Sequence, residues 1–128
     1  MNLHTPQPYT YWATLERVID GDTVVLNIDL GFNVTLTDVH MRIYGINCAE
    51  KNTEEGQDAL RYVKEWAAAD TAYNVVKEKM YKVIVQSNKK DKYGRILGEL
   101  FYANESLGEV LVKAGKAKPY FGKNANPT

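Results

Sequence analysis

Three short segments of this chain carry the residue types that phosphate chemistry needs. They are Ile19-Asp20-Gly21-Asp22-Thr23, the run from Met41 to Glu50 with Arg42, Asn47 and Cys48 in it, and Asp91-Lys92-Tyr93-Gly94-Arg95. Attack on a phosphodiester builds negative charge, so fixed positive charge must face it. Arginine suits this role, because its planar fork meets two phosphate oxygens at once. A hard cation held by carboxylate and amide oxygens can add charge and orient the reacting groups. A glutamate can orient or deprotonate the attacking water. Arg42, Arg95, Glu50 and an acidic cation pocket would together meet these demands. Each segment has a plainer reading beside that one: a hairpin turn for Asp20-Gly21-Asp22, an ion-pair partner for Arg42, a solvated loop acid for Glu50 and a charged turn for Asp91 to Arg95.

Turns at strand ends must position these groups. Thr10 to Ile19 is rich in β-branched and aromatic residues and predicts a strand. Asp-Gly then marks a turn. Thr23 to Leu30 and Val34 to Tyr44 predict a second and third strand, the latter interrupted near Thr37-Asp38. From Glu54 the apolar residues Ala59, Leu60, Val63, Trp66 and Ala67 recur at three and four, which predicts a helix running to about Ala69 with Thr53 as its cap. Tyr81 to Gln86 and Tyr93 to Tyr102 predict a fourth and fifth strand. Ser106 caps a short helix over Leu107 to Ala114 that Gly115 closes. This order predicts an α+β fold, a five-stranded OB-type β-barrel decorated with two or more helices. Residues 1–11 read as a flexible arm, 12–121 as the barrel domain and 122–128 as a polar tail. Such barrels bind varied ligands, so the fold alone decides no function.

Composition excludes several classes. The chain has 128 residues, 45% hydrophobic and 25% charged, as one globular domain should. Its single cysteine, Cys48, excludes an internal disulfide and a cysteine-held metal. His4 and His40 lack metal-ligand spacing. With 16 basic and 16 acidic residues the net charge is zero, which disfavours tight non-specific binding to nucleic acid but suits an enzyme with a local basic cleft. No apolar run reaches the ~20 residues of a membrane span. The first residues hold no signal-peptide series, which implies a cytoplasmic protein unless a leader has been trimmed.

The three segments, in their order and separations, resemble the signature of the staphylococcal nuclease family: an Asp-Gly-Asp-Thr turn, then Arg-x-x-x-x-Asp-x-Pro-Glu, then Asp-x-Tyr-Gly-Arg. The resemblance runs from about Trp12 to Pro119 and takes in Leu111 to Ala117. It implies an OB barrel and a calcium-dependent nuclease that cuts DNA or RNA, favours single strands and leaves 3′-phosphate ends; a monomer with no membrane partner is expected. By resemblance, Arg42 and Arg95 clamp the phosphate and Glu50 is the base. Asp22, Asn47 and the Cys48 backbone carbonyl hold the metal, Lys92 and Tyr93 contact a terminal phosphate, and Tyr120 or Phe121 packs on a base. Three departures stand out. Asn47 replaces an aspartate and should weaken calcium binding. Ala49 replaces a proline before Glu50 and should loosen that loop. The family's long C-terminal helix has no counterpart after Phe121. Loss of the Asn47 charge leaves open a second reading, a catalytically weakened barrel that binds nucleic acid or protein.

Overall fold

The computed structural model describes residues 9–68, 80–87 and 90–120. Strand β1 (Tyr9–Asp20) pairs antiparallel with β2 (Thr23–Gly31), and β2 with β3 (Val34–Ile43). After β4 (Ile46–Asn47) and helix α1 (Glu54–Ala68) come β5 (Tyr81–Ser87), β6 (Ile96–Tyr102), β7 (Glu105–Ser106), helix α2 (Leu107–Lys113) and β8 (Lys118–Pro119). The main sheet runs β3-β2-β1-β5-β6-β7, and a parallel pairing of β3 with β6 closes it. Closure removes the open edges that would otherwise invite aggregation. The result is the expected α+β architecture, a closed five-stranded OB-type barrel with two helices among the described residues.

The barrel closes around the residues its strands turn inward. Val24, Leu26 and Ile28 of β2, Met41 and Ile43 of β3, Val83 of β5 and Leu100 of β6 form one core with Val63 of α1 and Leu107 and Leu111 of α2. Each fully buried aliphatic side chain contributes roughly 1.5–3 kcal/mol. The third strand is interrupted where expected: Thr37 and Asp38 interrupt the register opposite Asn27, and Asp38 takes φ +58°. Such a bulge bends the strand and tightens its twist.

Helix α1 starts at Thr53 for a local reason. Thr53 Oγ1 accepts the Gly56 N–H at 3.0 Å and donates to the Glu50 carbonyl at 2.6 Å. Glu54 and Glu55 sit at the positive end of the helix dipole. The buried stripe Gly56, Ala59, Leu60 and Val63 has helical spacing. Ser106 caps α2 through the Glu109 N–H, and Gly115 follows at φ +74°.

Three details differ from or add to the expectation. Strand β1 begins at Tyr9, one residue before the expected Thr10 and overlapping the end of the arm read over 1–11, and Tyr9, Thr10 and Tyr11 pair with Val85, Ile84 and Val83. The fifth long strand starts at Ile96 rather than Tyr93, because the Asp91 carboxylate accepts the N–H groups of Tyr93 and Arg95, and Gly94 takes φ +79°; this hydrogen-bonded turn precludes a ladder. Third, Lys118 and Pro119 pair with Asn47 and Ile46, a two-residue ladder too short to leave a period in the sequence. The polar tail expected over 122–128 lies outside the described residues.

Candidate functional site

The strand register brings the three segments to one rim of the barrel. Thr23 sits opposite Arg42 on β3, and Arg42 opposite Leu97 on β6. The Asp20-Gly21-Asp22 turn, just before Thr23, and Arg95, two residues before Leu97, therefore meet at Arg42. The Ile43 N–H donates to the Asp22 carbonyl at 2.8 Å and ties the turn to β3.

Two glycines let helix α1 and the Cys48–Glu50 loop close on this rim. A Cβ on Gly21 would lie 2.8 Å from Ala59 Cβ and 2.8 Å from Cys48 Sγ. A Cβ on Gly56 would lie 1.8 Å from the Glu50 carbonyl oxygen. Only hydrogen fits at either place. Glu50 is thus held by its backbone, against the first turn of α1. Its exposed carboxylate makes no side-chain hydrogen bond or ion pair among the described residues, so it is open to solvent or to a ligand.

Arg42 is mostly buried. Its Nη1 donates to the Ile43 carbonyl at 2.8 Å, and its Nη2 donates to Asn47 Oδ1 at 3.2 Å and lies 3.7 Å from Asp22 Oδ2. Asp22 Oδ2 also accepts the Cys48 N–H at 3.1 Å. Arg95 is aimed by Asp91, whose Oδ2 takes Nε at 2.9 Å and Nη2 at 2.8 Å. Arg95 Nη1 donates to Thr23 Oγ1 at 3.2 Å, and its guanidinium carbon lies 4.9 Å from the Tyr93 ring centre. Burial tends to raise the Asp91 carboxyl, but hydrogen bonds from the Arg95 backbone and side chain and from the Tyr93 N–H outweigh it and hold the group below its ordinary value.

A pocket of about 220 Å³ opens between the arginines, lined by Arg42, Tyr44, Asp91, Arg95, Leu97 and Tyr120 among others. The Tyr120 N–H donates to the Gly45 carbonyl at 2.8 Å, so the β4–β8 ladder brings this ring to the pocket. Lys92 and Tyr93 are exposed beside it, with Lys92 Nζ 5.2 Å from the Tyr93 ring centre. Phe121 lies outside the described residues.

The electrostatics of the rim are uneven. Burial, followed by a hydrogen bond and charge repulsion from Asp22, pushes the Asp20 carboxyl up to about 6. Burial, then the charges of Asp22 and Asp20, push the Cys48 thiol up to about 12, so it is inert near neutral pH. Asp20 and Asp22 thus crowd each other beside Arg42, which faces Asp22, while Arg95 is paired with Asp91. Asp20, Asp22 and the Asn47 amide offer hard oxygen donors, a set that fits a calcium-like cation better than a soft one. Among the described residues no three His, Cys, Asp or Glu side chains gather into a metal cluster, so backbone or water oxygens would have to complete the shell.

Sequence reasoning gave no role to Asp20, Thr23 or Asp91. Asp91 had a signal, an acid four residues before an arginine. Thr23 is buried and bridges Arg95 to the Asp22 side chain through its hydroxyl, which donates to Asp22 Oδ1 at 3.4 Å; only the strand pairing reveals this.

Comparison with known proteins bears on the family of the chain. Residues 40–128 match the family model for staphylococcal nuclease homologues. An uncharacterised protein of Methanocaldococcus jannaschii is 30% identical over 126 residues, covering 86% of this chain and 59% of that protein. An uncharacterised endonuclease of Escherichia coli is 29% identical over 112 residues, covering 87% of this chain and 62% of that protein. The chain thus spans about three-fifths of the length of these relatives. No helix among the described residues is long and apolar enough to cross a membrane. With its family model matched over more than half its length, the chain belongs to the family of staphylococcal nuclease homologues.

Proposed function

We propose that this chain is a calcium-dependent nuclease that hydrolyses phosphodiester bonds of DNA or RNA and leaves 3′-phosphate ends, with residues 12–121 as the catalytic domain. The observation that carries the reading is the convergence of Arg42 and Arg95 on one pocket. Both guanidiniums keep N–H groups beyond those committed to protein acceptors, since each has five donors. Those groups can grip two oxygens of one phosphate and strengthen their hold as charge develops. Arg95, steadied by Asp91, is well placed to donate to the departing oxygen. The unengaged carboxylate of Glu50 orients water and takes its proton. Tyr120 offers a ring to a base, while Lys92 and Tyr93 offer a charge and a hydroxyl to a terminal phosphate.

Asp22, Asn47 and the Cys48 carbonyl, with Asp20 beside them, would hold the calcium ion. When bound, such a cation supplies positive charge against the developing phosphorane and offsets the repulsion a phosphate would feel from Asp20 and Asp22. Asn47 contributes no charge, so binding should be weak, and Asn47→Asp should raise calcium affinity measurably in isothermal titration; an unchanged affinity would remove Asn47 from the ligand set. The relative named as an endonuclease lends support to hydrolysis.

Single-stranded DNA and RNA incubated with calcium, and again with chelator, test the whole reading. Cleavage that needs calcium, prefers single strands and yields 3′-phosphate termini is the expected result. Binding without cleavage across several metals would favour the second reading, a weakened barrel that only binds; the Asn47 substitution is what speaks for it.

A further inference from the structure

Beyond the Arg42 pocket, a groove of about 380 Å³ opens over the edge of the core, where Ile28 belongs to the buried cluster and Tyr11, Val39, Val85 and Ile96 pack against it. Leu30 of β2 and Leu36 and His40 of β3 line it, with Tyr9 and Tyr11 of β1 on the other side. Tyr9, Leu30 and Leu36 are all exposed. A run of exposed apolar surface of this kind marks an interaction site more often than chance. Groove and pocket are neighbours across a single turn: Lys90 and Gly94 line the groove, while Asp91 and Arg95 line the pocket.

We infer that this groove is a second nucleotide subsite, which receives bases of a single-stranded substrate after the strand has crossed the Asp91–Arg95 turn. The inference rests on the nuclease reading for the identity of the strand. Three features of the groove favour nucleic acid over another occupant. The first is continuity, since a polymer gripped between Arg42 and Arg95 must pass this turn on one side. The second is composition. Tyrosine faces beside an imidazole and an ammonium are what unpaired bases and their phosphates use, and the β2–β3 face is where OB barrels take oligonucleotides. The third is charge. Asp38, the acid in the groove, lies 3.5 Å from the Arg17 guanidinium, so its charge is offset in part before it can repel a phosphate. One OB barrel takes roughly 4–16 nucleotides, more than the Arg42 pocket can hold.

The test compares short and long strands on the full chain carrying Glu50→Gln, with calcium, so that neither is cut. Anisotropy of labelled thymidine dinucleotide and of an oligothymidylate of about 12 nucleotides reads the two Kd values. Adding Tyr9→Ala with Leu36→Glu should weaken the longer strand by about tenfold or more and leave the dinucleotide unchanged. Lys90→Glu, at an exposed position, should act in the same direction and guards against misfolding of the first variant. Phe32→Ala, 99% exposed on the hairpin tip outside the groove, should change neither Kd. Equal binding of the longer strand by variants and parent would overturn the subsite. So would an equal loss on both ligands, or variants that change the sedimentation coefficient instead, which would give the groove to a second copy of the chain. Absence of cleavage by the unsubstituted chain would remove the nuclease reading, and the comparison of strand lengths would still decide the groove.

Discussion

Two hairpins of this barrel share their local chemistry and differ in everything around it. In the first, Asp20 Oδ1 accepts the Asp22 N–H at 3.1 Å; in the second, Asp29 Oδ1 accepts the Gly31 N–H at 2.8 Å. Both ladders shift register beside the turn, between Val18 and Asp20 in one and between Asp29 and Gly31 in the other. Both are side-chain-capped turns of the kind Asp favours. Yet a Cβ on Gly21 would strike Ala59 and Cys48, whereas one on Gly31 would meet nothing within 4 Å. The first turn is roofed by Ala59 of α1; there burial, then Asp22, pushes the Asp20 carboxyl up to about 6, and Asp22 Oδ2 lies 3.7 Å from Arg42 Nη2. The second ends in a Phe32 that is 99% exposed. Both turns supply carboxylates, and only the first has a helix packed on it.

The strongest way to break that contrast is to remove a guanidinium from the roofed rim. Arg95→Ala or Arg42→Ala should lower kcat by about 10³-fold or more, the range seen for arginines that meet transferring phosphoryl groups. Circular dichroism and thermal melting should show that Arg95→Ala keeps the fold. Phe32→Ala, at the unroofed tip, should leave kcat as it is. Comparable losses in all three variants would mean that the rim is not special. Glu50→Gln should follow, with a loss of about 10²–10⁴ for a missing general base. Its shape is kept and its carboxylate takes no protein partner among the described residues, so stability should not change. A variant that cuts at the parental rate would move the base elsewhere.

Much of the fold could be read in advance because it is written in periods. Val24, Leu26 and Ile28 alternate, and Gly56, Ala59, Leu60 and Val63 repeat as a helix does. Thr53 and Ser106 are caps by residue type and position. The arginines and acids stood out because their chemistry is costly to place by accident beside turns. What escaped depends on partners far apart in sequence. The parallel closure of β3 on β6 leaves no local mark, so neither does the contact of Thr23 with Arg95. The strand was expected to start at Tyr93, because tyrosine favours strands, and the Asp91 carboxylate overrides that preference through its hydrogen bonds.

A substitution of equal size in each hairpin sharpens the comparison without touching a charged group. Gly21→Ala adds one methyl group between Ala59 and Cys48 and should cost about 1–3 kcal/mol, as overpacking does. Because the displaced turn carries Asp22, calcium affinity and kcat should fall with stability. Gly31→Ala meets no neighbour but forces alanine to φ +85°, which should cost about 1–2 kcal/mol and leave calcium affinity and kcat alone. Urea denaturation alongside calcium titration separates the two. If Gly31→Ala also weakens calcium binding, the hairpins are coupled through β2 and the contrast fails.

The smallest expected effect lies where the chain after α2 returns to the roofed rim. Lys116 Nζ donates to Asp58 of α1, and two residues later β8 pairs with Asn47 and leads to Tyr120 in the pocket. The hydrogen bond from Lys116, followed by the charges of Lys116 and Arg61, holds the Asp58 carboxyl below its ordinary 3.8. A carboxyl whose pKa is lowered on folding adds stability above its unfolded value, and that stability is lost as pH falls through the folded value. Asp58→Asn should therefore lower Tm slightly at pH 7, and the two melting curves should converge as the pH drops below 3.8. The pair is exposed and screened by salt, so the difference should also shrink as ionic strength rises. Since neither Asp58 nor Lys116 lines the pocket, kcat should change less than in the Arg42, Arg95, Glu50 or Gly21 variants, with KM carrying what effect there is. A gap in Tm that persists at low pH would show that Asp58 stabilises the return by packing, and that its charge does not hold Tyr120 to the rim.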